Sequence, residues 1–281
     1  MSLGKVLRLR RLLRKGRALV VPLDHGLVAG PLKGIEDPVG LIKLIAQSDA
    51  DAVLLTPGVL DQVAGELGQL AVVLRIDGCT SVQGSGPMRQ FASVAHAAAL
   101  GADAVIVNAT VGGGQEAAEL RKLGRVAEEA RRWGMPVIAE MLSARMLANH
   151  LDFTGRGGAA LPPDVAGDIA LAARIGAEMG ADIIKTRYPG EEASFREIVA
   201  ATGRPVMVAG GPMRDSSLRS LYQLVDQSLS AGAEGVIFGR NVWQHARPDA
   251  VLAGLAAMVH DAATVEQALA VADEQPCPAV P

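Results

Sequence analysis

The sequence predicts an α/β fold, a (β/α)8 TIM barrel closed by an N-terminal capping helix, and three observations carry that prediction. A short junction motif recurs four times, as Asp49-Ala50-Asp51-Ala52-Val53, Gly101-Ala102-Asp103-Ala104-Val105, Gly180-Ala181-Asp182-Ile183-Ile184 and Gly232-Ala233-Glu234-Gly235-Val236. It reads as a helix stopped by glycine in the left-handed conformation, an Ala-acid turn, and the start of a buried strand. Eight short β-rich runs alternate with stretches of helical period. Aromatic residues make up only 3% of the chain while glycine numbers 32, and small or β-branched residues suit parallel strands packed closely under helices. The 281 residues form one such domain, because barrels of this kind use about 250. A doubly wound open sheet is the rival, but no Gly-x-Gly-x-x-Gly follows the first strand, which disfavours its dinucleotide-binding form.

Residues 1–16 hold the first element: Lys5–Lys15 places Val6, Leu9, Leu12 and Leu13 on one helical face, and Gly16 stops it. It reads as a lid over the barrel bottom, with a membrane-surface helix as the alternative. The eight strands are Ala18–Leu23, Ala52–Thr56, Ala71–Ile76, Ala104–Ala109, Pro136–Met141, Asp182–Arg187, Val206–Ala209 and Gly235–Phe238. Gln115–Trp133 and Val165–Met179 are the clearest helices between them. Thr264 and Gln267 form a capping-box pattern for a last short helix, and residues 274–281 read as a disordered tail.

Composition removes several function classes. The charge balance, 27 Lys+Arg against 30 Asp+Glu, gives a formal −3 and argues against nucleic-acid binding. A mean hydropathy of +0.26 is too high for a disordered chain. No apolar run reaches the roughly 18 residues that span a bilayer, so no membrane partner is expected. Two cysteines, Cys79 and Cys277, fit a reducing cytoplasm better than a disulfide framework. The five histidines show no close ligand spacing, so no metal and no cofactor are expected.

In such barrels the chemistry hangs from the C-terminal ends of the strands. Those ends carry Asp24-His25-Gly26, Thr56, Arg75-Ile76-Asp77, Asn108, Glu140, Lys185-Thr186-Arg187, Gly210-Gly211 and Gly239-Arg240-Asn241. The loops with Gly210, Gly211 and Gly239 stand where these barrels bind phosphate, since glycine lets backbone N–H groups converge on an anion; tight turns before helices are the bland reading. Lys185 is either a partly desolvated nucleophilic amine, able to form an imine with a carbonyl, or a strand-end lysine reaching solvent. Asp24 orients a proton or hydroxyl, or caps the next turn. His25 reads as structural, and Arg240 faces either a phosphate or a neighbouring carboxylate.

In combination, Val21-Pro22-Leu23-Asp24-His25-Gly26, Gly30-Pro31-Leu32-Lys33-Gly34, the run Ala177–Thr186, Val208-Ala209-Gly210-Gly211-Pro212 and Gly239–His245 resemble the Schiff-base aldolases of the deoxyribose-phosphate aldolase and archaeal-type class I fructose-bisphosphate aldolase group. The likeness extends from about residue 4 to about residue 269 and is strongest to the branch that contains 2-amino-3,7-dideoxy-D-threo-hept-6-ulosonate synthase. It implies Lys185 as the imine-forming lysine, Asp24 as an acid/base or hydroxyl-positioning group, and a substrate phosphate on Gly210, Gly211, Gly239 and Arg240. It also implies a metal-independent lyase of carbohydrate metabolism or aromatic amino-acid biosynthesis that acts on a phosphorylated ketose and assembles as a homo-oligomer, by analogy a decamer.

One element departs from the family. Its members end strand five with a proton-transferring tyrosine in a Tyr-Pro-Arg-Gly run, where this chain has Glu140-Met141-Leu142-Ser143-Ala144-Arg145. Leu142 holds the tyrosine position and cannot move a proton. Residues two apart on a strand share a face, so Glu140 is the expected replacement, with a pKa raised by an apolar barrel. A structural ion pair of Glu140 with Arg75 or Arg187 is the alternative, and His150 or Tyr188 stands next in line. The loop 143–163 is longer than the family's and reads as a lid or a disordered insert. Transaldolase-like or thiolase-like acyl transfer on a phosphorylated dione, and a non-catalytic phosphosugar-binding barrel, are the competing functions.

Overall fold

The computed structural model describes residues 1–78, 81–83, 87–150, 165–211 and 217–275, and of 148–150 the backbone only. Eight parallel strands close into a barrel: β1 (Ala18–Pro22), β2 (Ala52–Leu55), β3 (Ala71–Arg75), β4 (Ala104–Val111), β5 (Val137–Ser143), β6 (Ile183–Arg187), β7 (Val206–Ala209) and β8 (Gly235–Ile237). Each pairs with its sequence neighbours, and β8 closes the ring on β1 through Leu19↔Val236. The strands lie where the sequence places them, except that β4 and β5 run two residues beyond the expected ends. Among the described residues no helix is long and apolar enough to cross a membrane.

The period of two divides each strand between two cores. Leu19, Val21, Val53, Leu55, Val72, Leu74, Val105, Val107, Val137, Ala139 and Ile184 join the layer beneath the helices. Ala18, Val20, Ala52, Leu54, Ala71, Val73, Ala104, Ile106, Ile138, Ile183, Met207 and Ile237 fill the barrel interior. The next inward positions, one step above that apolar plug, are Arg75, Asn108, Glu140 and Lys185. Alternation alone therefore carries four polar groups to one level at the top of the barrel.

The N-terminal helix, Leu3–Leu12, is the bottom lid. Leu12 is fully buried within the interior cluster, and Leu9 and Leu13 pack against it. Truncating Leu12 to alanine is expected to cost about 2–5 kcal/mol, the usual range for a core leucine, read from the midpoint of urea unfolding. The junction motif supplies the lid's other fastenings. Asp51, Asp103 and Asp182 each accept the backbone N–H of the preceding strand, at Leu19 (2.8 Å), Val72 (3.0 Å) and Val137 (2.9 Å). The same three carboxylates pair with Arg14 (2.8 Å), Arg11 (2.9 Å) and Lys5 (2.8 Å). The repeated acid is thus more than a turn residue: it locks the strand entries together and holds the lid. At the other end Thr264 and Gln267 make the expected capping box. The last helix runs through Glu274, into the span expected to be tail, and residues 276–281 lie outside the described residues.

Candidate active site

The C-terminal ends of the strands surround a cleft enclosing about 680 Å³ out to its open mouth. Seven residues singled out from the sequence line it: Asp24, Glu140, Lys185, Gly210, Gly211, Gly239 and Arg240. Glu140 and Lys185 are direct partners in the β5–β6 ladder, and Asn108 faces Glu140 across β4–β5. Lys185 Nζ lies 2.7 Å from Glu140 Oε1, with both side chains almost fully buried. That register explains the contact: two inward residues at the same height on adjacent strands cannot avoid each other.

Arg75 is the hub. Its Nε donates to Asp24 Oδ2 at 2.8 Å, its Nη2 to Glu140 Oε2 at 2.6 Å and its Nη1 to Asp77 Oδ1 at 3.3 Å. With the amide oriented to satisfy both groups, Asn108 donates to Glu140 Oε2 at 3.0 Å and accepts from Arg75 Nη1 at 2.9 Å. Three carboxylates surrounding one guanidinium hold Arg75 firmly protonated and raise its pKa further, despite burial that works the other way. For Asp24, burial pushes the carboxyl up, but Arg75, His25 and Lys185 together outweigh it and hold it below the usual carboxylate value. Asp24 is therefore an anion at neutral pH, suited to accepting a hydrogen bond or proton.

The expected surroundings of Glu140 need correction. Glu140 is not in apolar surroundings; it lies between two cations, with Arg75 rather than Arg187 as the arginine partner. The expected ion pair with Arg75 is present, and the same side chain lines the cleft. His25, read as structural, lines the cleft, 3.4 Å from Asp24 Oδ1 through Nδ1, with its ring edge-on to Trp243. Asp24 makes no cap to the short helix Gly26–Ala29. Leu142 is buried and is not among the residues that line the cleft. Tyr188 packs edge-on against Phe195 in the layer beneath the helices, away from the cleft, and burial raises its hydroxyl pKa. The His150 side chain and residues 151–164 of the long loop lie outside the described residues.

At the opposite rim Gly211 adopts a left-handed φ of +71°, and a Cβ there would come within 2.8 Å of the Arg187 guanidinium carbon. A Cβ on Gly239 would meet Pro22 at 2.9 Å and His25 at 3.0 Å. Both loops are glycine because other groups occupy the space a side chain needs. Arg240, 5% exposed, opens the short helix behind Gly239 and lines the cleft beside it. This rim combines glycine loops with the cationic side chains of Arg187 and Arg240, a chemistry that suits a phosphate.

The sequence reading gave Arg75 a part only as a possible ion-pair partner of Glu140, and it passed over Asp77, Asn108 and Lys122. Asp77 and Asn108 stood at the strand ends but were given no role. Lys122 comes from the helix Glu116–Trp133, reaching Asp77 Oδ2 at 2.5 Å and the Met88 carbonyl at 3.0 Å. One signal was available: Glu119 and Lys122 interrupt the buried stripe that Leu123, Val126 and Ala130 continue. Charges on an apolar stripe demand buried partners.

A family model described as DeoC/LacD family aldolase matches residues 18–245. A 2-amino-3,7-dideoxy-D-threo-hept-6-ulosonate synthase of Halobacterium salinarum is 37% identical over 272 residues, 95% of this chain and 96% of its own. A 2-amino-4,5-dihydroxy-6-oxo-7-(phosphonooxy)heptanoate synthase of Streptomyces griseus is 33% identical, covering 93% of this chain and 92% of its own. An archaeal fructose 1,6-bisphosphate aldolase superposes with a TM-score of 0.79 at 27% identity, over 92% of this chain and 99% of its own. A further archaeal fructose-1,6-bisphosphate aldolase structure, with its catalytic Lys covalently bound to the carbinolamine intermediate of the substrate, gives 0.74 at 26%, over 96% of this chain and 98% of its own.

Proposed function

The chain belongs to the DeoC/LacD family of aldolases, and on that premise we propose that it joins or cleaves a carbon–carbon bond in a phosphorylated ketose through an imine at Lys185. The observation that carries the reading is the pairing of Lys185 Nζ with Glu140 Oε1 at 2.7 Å inside the cleft. An amine must lose a proton before it can attack, and here a carboxylate stands within reach to take it.

The steps follow from the neighbours. The amine adds to the substrate carbonyl carbon while its proton passes to Glu140. Glu140 delivers that proton to the former carbonyl oxygen, giving the carbinolamine hydroxyl; a second proton then passes by the same route from the nitrogen to that hydroxyl, water leaves, and a protonated imine remains. In cleavage, Asp24 or Glu140 takes the proton of the hydroxyl beside the scissile bond. The bond's electron pair then flows into the imine, giving an enamine and a free aldehyde. Condensation runs the same path backwards. Glu140 thereby takes the place of the tyrosine that Leu142 displaces. The loops of Gly210, Gly211, Gly239 and Arg240 hold the phosphate at a fixed distance from Lys185, so the carbonyl arrives already oriented.

The synthase direction is favoured. The two synthases are 37% and 33% identical to this chain, against 27% for the bisphosphate aldolase. The name of the Streptomyces griseus synthase also carries a phosphonooxy group on a seven-carbon keto chain. Borohydride trapping tests the reading, with dihydroxyacetone phosphate, fructose 1,6-bisphosphate and ribose-type phosphates as probes and intact mass with peptide mapping as readout. A reduced adduct on Lys185 is expected, and the fastest-labelling substrate identifies the donor. An adduct on another lysine overturns the site. Phosphosugar binding without any adduct replaces the aldolase with a binding protein.

A further inference from the structure

We propose that Lys122, which no substrate reaches, is a positioning residue for this reaction: by neutralising Asp77 it leaves Arg75 free to hold Glu140 in place against Lys185. The inference rests on Lys185 being the reacting amine, and its test is chosen to stand apart from that reading.

Lys122 extends from the helix Glu116–Trp133 through the layer between helix and barrel, and only 9% of it is exposed. Burying an ammonium group is costly unless it is fully partnered. Its partners are Asp77 Oδ2, at 2.5 Å, and the Met88 carbonyl, at 3.0 Å. Asp77, with no exposed surface, also accepts the Asn108 backbone N–H at 2.9 Å and Arg75 Nη1 at 3.3 Å. One carboxylate is thus shared between an outer lysine and the hub arginine, and its shorter contact is with the lysine.

The charges of the network balance only when Lys122 is counted. Asp24, Asp77 and Glu140 supply three negative charges, and Arg75, Lys185 and Lys122 three positive ones. His25 beside Asp24, Arg187 two residues along β6 and Arg240 at the end of β8 complete the charged groups around the cleft, and Glu119 accompanies Lys122 on the helix. Without Lys122 the uncompensated charge of Asp77 acts on Arg75 through a medium of low dielectric constant. Arg75 then serves Glu140 less well, and the more negative surroundings keep the proton on Lys185 to higher pH.

The experiment uses full-length Lys122→Met, Asp77→Asn and the double variant. It follows acetylation of Lys185 by acetic anhydride across pH, read by peptide mass, a readout that needs no substrate. Lys122→Met is expected to move the labelling profile about one pH unit higher, and Asp77→Asn to move it lower. The double variant, neutral again, returns to the wild-type profile, and kcat/KM moves with the labelling while KM changes little. A merely structural lysine predicts otherwise, because the double variant still leaves Met88 unheld. A profile unmoved in Lys122→Met, or one displaced equally in the double variant, overturns the proposal. If Lys122→Met does not fold, the direction of the Asp77→Asn shift decides. Absence of any imine adduct in the wild type defeats the aldolase reading alone, since acetylation still reports on Lys122.

Discussion

Glu140→Gln is expected to lower turnover by ~10²–10⁴-fold, the range that a positioned acid/base contributes, while KM changes little. The amide keeps the size of the side chain and can still accept from Arg75, so the framework survives. It cannot take the Lys185 proton, and it replaces a carboxylate lying 2.7 Å from one cation and 2.6 Å from another. Proton loss from the lysine then depends on hydroxide from solvent. The variant's residual activity should therefore climb about tenfold per pH unit on the acid side, the slope of a single ionisation. Borohydride trapping in single turnovers places the loss in imine formation. Full turnover in the folded variant eliminates Glu140 as the acid/base and reduces it to a structural partner of Arg75. A fall in unfolding midpoint with kcat unchanged points to the same conclusion.

The barrel was legible because its signals are local. The glycine of each full junction motif is in the left-handed region, with φ of +81° at Gly101, +99° at Gly180 and +102° at Gly232, and a strand starts one residue after the acid that follows. Strand alternation likewise brings Glu140 and Lys185 to one face. What the sequence did not reveal depends on closure of the ring. Arg75 on β3 reaches Glu140 on β5 across Asn108 on β4, a contact that spans 65 positions, and no spacing rule connects such residues. Nor does alternation say which charges will share a partner, which is why Glu140 was expected in apolar surroundings. The antiparallel pairing of Asp77–Gly78 with Arg89–Gln90 is two residues long, too short for a periodic pattern. Lys122 left a trace as a charge on a buried stripe, but its partner could be found only once helix and barrel were packed together.

Arg75→Met is expected to destabilise the protein by at least about 3–5 kcal/mol at pH 7, the cost of removing one member of a buried charge cluster. Methionine fills much of the volume, so the loss is electrostatic rather than a cavity. Asp24, Asp77 and Glu140 lose a shared cation at 2.8, 3.3 and 2.6 Å. The pH dependence identifies the cause. In the wild type the folded Asp24 pKa lies below its ordinary value of 3.8. Its contribution is present above that value and is lost as the pH falls through the folded pKa. Without Arg75, burial is opposed by less positive charge, and the folded cluster binds protons more readily than the unfolded chain. Stability then increases as the pH falls from 7 towards 5, a window in which the Asp24 contribution to the wild type is constant. Urea midpoints at pH 7 and pH 5 compare the two directly. A variant whose change in stability between pH 7 and pH 5 matches the wild type's would show that Arg75 holds the strands by packing alone. The Lys185–Glu140 pair would then owe its geometry to the β5–β6 register rather than to the charge beside it.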